Sequence, residues 1–139
     1  MTRLLVLALA FGAFTLVATG VGIARRLPYQ FGGTGSPDSV AADAFLKGTG
    51  ISAPIVFVVV IIVLAYVAGR RGWVGIGAAA IVALLGVVGI IAGLMEPALL
   101  TLDPLVTPIA VVGIGLAVLL VVSAVRVALS GTANRRSTV

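Results

Sequence analysis

The link Gly69-Arg70-Arg71-Gly72-Trp73 separates two long apolar runs, Ile55 to Ala68 and Val74 to Leu94. A pair of guanidinium groups cannot enter hydrocarbon without a heavy desolvation cost. The link must therefore be a turn at a water interface, and the runs on either side must be segments that enter the bilayer. Lys and Arg collect in the cytoplasmic loops of membrane proteins, so the same pair indicates which interface it is.

Composition supports lipid as the solvent. The chain of 139 residues is 61% hydrophobic and only 9% charged, with a mean hydropathy of +1.32. Soluble domains are about 45–50% apolar and about 25% charged. The net charge of +5 does not point to nucleic acid, because the basic residues lie only between and beyond the apolar runs instead of clustering on one polar face. Cysteine and histidine are both absent. Their absence removes disulfides, Cys/His metal sites, histidine haem ligation and every Ser/His or Cys/His nucleophile, so neither a cofactor nor a metal is expected. Eight of the nine basic residues are arginine, and with abundant Ala, Val and Gly this suggests a bacterial protein.

Four apolar spans are predicted, at about 4–24, 52–69, 74–94 and 105–127. The first follows Met1-Thr2-Arg3 and is longer than the apolar core of a cleaved signal peptide, so it reads as a full span. The second contains the β-branched run Ile55 to Val63, which in water would read as a buried strand. A lone strand in lipid leaves its backbone unsatisfied, so it is expected to be helical. The expected fold is thus all-α, a four-helix transmembrane bundle forming one polytopic domain.

The stretch 25–50 is the one long polar segment and is expected to be an extracytoplasmic loop. Ser36-Pro37-Asp38 has the pattern of a helix start, predicting a short capping helix over 37–46 with Val40, Ala44 and Phe45 on one side. Gly32-Gly33-Thr34-Gly35 lacks the following Lys-Ser/Thr of a phosphate-binding loop. The tail 130–139 is polar and basic and is expected to be disordered. Arg3, Arg70, Arg71, Arg126, Arg135 and Arg136 would share one face, while Arg25, Arg26, Lys47 and all four acids would share the other. That count places both termini in the cytoplasm.

Small residues let membrane helices approach closely. Gly72, Ala79, Gly86 and Gly93 recur every seven residues in the third span, with Gly89 beside them. The first span offers Ala8, Gly12, Thr15, Thr19 and Gly22, and the fourth Ala110, Gly113, Ala117 and Ala124. These three spans are expected to pack together, leaving the Val/Ile-rich second span to face lipid or a partner. At the outer face, Arg25 or Arg26 is expected to pair with Glu96, near Asp103, and so fix helix ends.

No ionisable residue lies in the middle of any predicted span, Arg126 being close to the end of the fourth, which argues against ion-coupled transport. The leading functional expectation is a non-enzymatic accessory or structural subunit of a larger assembly in the bacterial cytoplasmic (inner) membrane. Its expected partners are the lipid bilayer and other membrane subunits or further copies of itself. The alternative is a small oligomeric transporter or channel for an uncharged or lipid-like solute, lined by Thr15, Thr19 and Ser123 and gated by the 37–46 segment. A membrane enzyme using outer-face Asp, Glu or Tyr residues ranks third.

Overall fold

The computed structural model describes residues 2–28, 36, 38–96 and 103–137, the last four by backbone alone. Tyr29, the Gly32–Gly35 stretch and Pro37 lie outside the described residues. Among the described residues there are five helices: α1 (Arg3–Ala24), α2 (Val40–Asp43), α3 (Ile55–Ala68), α4 (Trp73–Met95) and α5 (Val106–Ser137).

The four-helix transmembrane bundle is corrected by this inventory. Among the described residues, only α1, α4 and α5 are long and apolar enough to cross a membrane. The 14 residues of α3 rise about 21 Å, short of a hydrocarbon core about 30 Å thick. The cause lies at its start. Pro54 is the N-cap, in an extended conformation with ψ 138°, and a proline disfavours helix in the residue before it. Ser52 and Ala53 therefore belong to a half-buried loop, whose turn is closed by the Thr49 N–H donating to the Ser52 carbonyl at 3.1 Å. The cytoplasmic placement of both termini, which rested on four crossings, falls with the fourth span. Both ends of the described chain nevertheless lie at one end of the molecule. A Cβ on Gly69 would touch Thr2, the N-cap of α1, and one on Gly131 of α5 would touch Ile76, early in α4.

Two further expectations change. The capping helix is a single turn, α2, started by Ser39 instead of Ser36; Val40 and Ala44 are buried as expected, but Phe45 is exposed. The tail expected to be disordered continues α5 as far as Ser137.

Each long element contacts two neighbours, in the cyclic order α1, α3, α4, α5. Side chains mesh across each antiparallel pair. Gly12 lies against Val58 and Ile62, Gly89 against Phe57, Gly86 against Val121, Gly93 against Ile114 and Gly113 against Phe14. The expected trio of α1, α4 and α5 is therefore corrected: α3 sits between α1 and α4. Its Val58 is 6% exposed and Ile61 fully buried, so Val56, Val59, Val60, Val63 and Tyr66 are the residues of α3 that face outward. The β-branched composition concealed this, because Gly12 supplies from α1 the space that α3 itself lacks.

The Arg70-Arg71 link is a compact exposed turn. Gly72 adopts a φ of 91°, open to glycine, and a Cβ on Gly75 would collide with the Arg70 carbonyl oxygen. Near this end the ring is filled by Leu4, Ala8, Ile61, Ala65, Ala79, Val82, Leu120 and Ala124. Toward the other end the packing opens.

Candidate functional site

In that other half the helices border a partly open chamber of about 220 Å³. Phe14 and Thr15 of α1, Phe57 of α3, Gly89 and Ala92 of α4, and Ala110 and Gly113 of α5 contribute to its walls, and the segment 49–54 closes it. For scale, an apolar cavity of about 150 Å³ takes up benzene. The small residues Gly89, Ala92, Ala110 and Gly113 leave this space open.

The closing segment is held by a short hydroxyl chain. Thr19 Oγ1 donates to Ser52 Oγ at 3.0 Å, and Ser52 Oγ lies 2.7 Å from Thr49 Oγ1. The Gly50 N–H donates to the Leu27 carbonyl at 3.0 Å. Gly22 makes the approach possible, because a Cβ there would stand 2.5 Å from Thr49 Oγ1 and 2.8 Å from Thr49 Cβ. Thr49 is only 3% exposed. Thr19 lies five residues before the end of α1, about 8 Å along its axis, so the segment dips between the helices. Non-helical backbone at membrane depth is tolerated only where protein buries it or it lines a cavity. Thr49, Gly50 and Ile51 are buried, and all four residues 49–52 line the chamber.

The N-terminus of α3 also points toward this region, but its first two donors are occupied. The Ile55 N–H donates to the Ala44 carbonyl at 3.4 Å and the Val56 N–H to the Phe45 carbonyl at 3.1 Å. The polar edge of the chamber comes instead from side chains: Thr49, Ser52, Lys47 and Glu96 all border it. Glu96, expected at the outer surface, is 9% exposed.

The sequence-selected residues are distributed as follows. Thr15 lines the chamber, but its hydroxyl donates back to the Phe11 carbonyl at 2.7 Å. Thr19 holds the closing segment. Ser123 lies at the opposite end, in a groove with Arg3 and Arg126, so the proposed lining of Thr15, Thr19 and Ser123 is not assembled. Gly89, Gly93, Gly113 and Ala117 border the chamber, Gly12 and Gly86 sit at helix contacts, and Ala79 is fully buried. Arg25 pairs with Asp103, at 4.0 Å, in place of the expected Glu96. Arg26 ends α1 with a φ of 54°, its N–H donating to the Ile23 carbonyl at 3.1 Å. Gly48, Thr49 and Ser52 were missed as site residues. The available signal was Gly48-Thr49-Gly50 followed by Pro54, which together shorten the apolar run.

Asp103 also caps α5. Its Oδ1 accepts from the N–H groups of Leu105 at 2.8 Å and Val106 at 3.0 Å. These bonds, aided by Arg25, favour the charged carboxylate and lower its pKa below the ordinary 3.8. A group whose folded pKa is depressed contributes stability above its unfolded pKa and loses it as the pH falls toward the folded one. Thermal unfolding in detergent should therefore show the wild type losing stability as the pH drops below about 4. Asp103→Ala should be less stable at neutral pH and should show less of that acid-induced loss; parallel profiles would refute the assignment.

Among the described residues no group of three or more His, Cys, Asp or Glu side chains could hold a metal ion. No family model matches the chain, and neither a curated protein nor a solved structure is significantly similar to it. Length, hydropathy and packing define its class: a small all-helical polytopic membrane protein in contact with the lipid bilayer and lacking obvious catalytic motifs.

Proposed function

We propose that the protein is a non-enzymatic multi-pass protein of the bacterial cytoplasmic membrane that takes up an uncharged, lipid-like molecule in its chamber, as a small carrier or channel does. The observation that supports this most is the non-helical segment 49–52, buried at Thr49, Gly50 and Ile51, closing an apolar space bordered by Thr49 and Ser52. A medium-chain alcohol has the matching chemistry, with a hydroxyl for the polar edge and an alkyl chain for the walls. Octanol binding to purified, delipidated protein tests the reading. Wild-type protein should bind it saturably, and Ala92→Phe, which places a ring in the chamber, should abolish binding while leaving helix content unchanged. Equal binding by both proteins would refute the proposal.

A second reading, an accessory subunit of a larger assembly, is favoured by α3. A helix shorter than the hydrocarbon thickness is accommodated by bilayer thinning or by association with other protein, and α3 presents Val56, Val59, Val60 and Val63 outward. Gentle extraction followed by native mass spectrometry separates the two: recovery with other membrane proteins supports the subunit reading, and recovery alone or as a homo-oligomer supports the carrier.

A further inference from the structure

At the end opposite the chamber, α1 and α5 border a groove of about 380 Å³, with Arg3 and Leu7 on one side and Leu119, Ser123, Arg126 and Ser130 among those on the other. The groove is graded along the helix axes. Arg3 opens α1, and Arg126 lies twenty residues beyond the start of α5 at Val106, about 30 Å along it. Both guanidiniums therefore stand one hydrocarbon thickness from the opposite helix ends, at the level of lipid phosphates. Leu7 lies one turn deeper than Arg3 and Leu119 two turns deeper than Arg126, so the groove turns apolar toward the midplane. All four acidic side chains, Asp38, Asp43, Glu96 and Asp103, belong to the chamber end. Neither Arg3 nor Arg126 forms a salt bridge among the described residues. Arg70 and Arg71, at the same end, sit on an exposed turn and do not line the groove.

We infer that this groove binds an anionic glycerophospholipid, its phosphate held between Arg3 and Arg126 and an acyl chain laid along Leu7 and Leu119. Basic pockets between membrane helices are suited to such headgroups, and each arginine near the surface adds to the attraction. Serine hydroxyls at positions 123 and 130 add donors that a bare cationic surface lacks.

The full chain in nanodiscs of equimolar phosphatidylglycerol and phosphatidylcholine, released for native mass spectrometry, tests this. Retained lipid should be enriched in phosphatidylglycerol on the order of tenfold. The Arg3→Gln/Arg126→Gln double variant should return the ratio to that of the bilayer, and Arg70→Gln/Arg71→Gln, with the same charge change, should keep the enrichment. A second measurement does not depend on any variant: phosphatidylglycerol should raise the wild-type Tm relative to phosphatidylcholine, and millimolar inorganic phosphate should not reverse the rise. Retained lipid that mirrors the bilayer, equal loss in the two double variants, or displacement by free phosphate would each overturn the inference.

Discussion

Gly48→Val is expected to unseat the segment that closes the chamber and to lower stability by on the order of 3 kcal/mol. Gly48 follows the α2 turn, with its N–H donating to the Asp43 carbonyl at 3.1 Å, and has a φ of 82°. That is the left-handed cap position, which a β-branched residue adopts only with strain. The space is closed as well: a Cβ would lie 2.6 Å from the Ser52 carbonyl oxygen and 2.9 Å from the Pro54 nitrogen. Both obstacles are backbone atoms, so no rotamer change relieves them. Relief requires moving residues 52–54, which breaks the contact of Ser52 with Thr19. Thermal unfolding in detergent should show a lowered Tm, and octanol binding should be lost even in Gly48→Ala, which carries the smallest side chain that still clashes. Gly20→Val, at a helix position where a Cβ meets nothing within 4 Å, is the control and should leave both readouts near wild type. Equal effects of Gly48→Val and Gly20→Val would refute the role given to Gly48.

The importance of this segment was only partly legible in the sequence. Hydropathy located the apolar runs because a bilayer forces every spanning backbone to satisfy itself, and α1 and α4 begin and end within a residue or two of the expected limits. The same reasoning overextended α3. Ser52 and Ala53 are compatible with the apolar run that follows; Pro54 stops the helix after them, and the hydroxyl bond from Thr19 to Ser52, made across thirty-three positions of sequence, holds them in the loop. The signal in hand was Pro54, which marks a first helical turn as readily as it marks the end of a loop. The outer ion pair is similar: the charges at that end were identifiable, but the choice of Asp103 for Arg25 depends on how α5 starts against α1. Polar groups with a choice of partner need the tertiary structure, whereas apolar length does not.

Gly86→Leu should be the most damaging change at a helix contact, lowering stability by about 1–3 kcal/mol. Membrane helices gain nothing from hiding apolar surface from lipid, so close packing of small residues carries much of their association. Gly86 is buried in α4 where Val121 of α5 crosses it, and a Cβ there would stand 2.5 Å from Val121 Cγ2. Valine is stiff about χ1 in a helix, so accommodating leucine requires separating α4 from α5. Gly93 makes a milder contact, with Ile114 Cγ1 at 3.1 Å from the corresponding point, and Gly93→Leu should cost less. Gly77 supplies the control: it lies in the same helix, is exposed, and would meet nothing within 4 Å. Gly77→Leu should be neutral or slightly stabilising, since leucine favours helix over glycine by somewhat under 1 kcal/mol. Unfolding of the three variants in a denaturing detergent series should rank them Gly86→Leu, Gly93→Leu, Gly77→Leu from least to most stable. If Gly77→Leu proved as damaging as Gly86→Leu, glycine content itself would be the requirement, and close contact between α4 and α5 would not be what stabilises this fold.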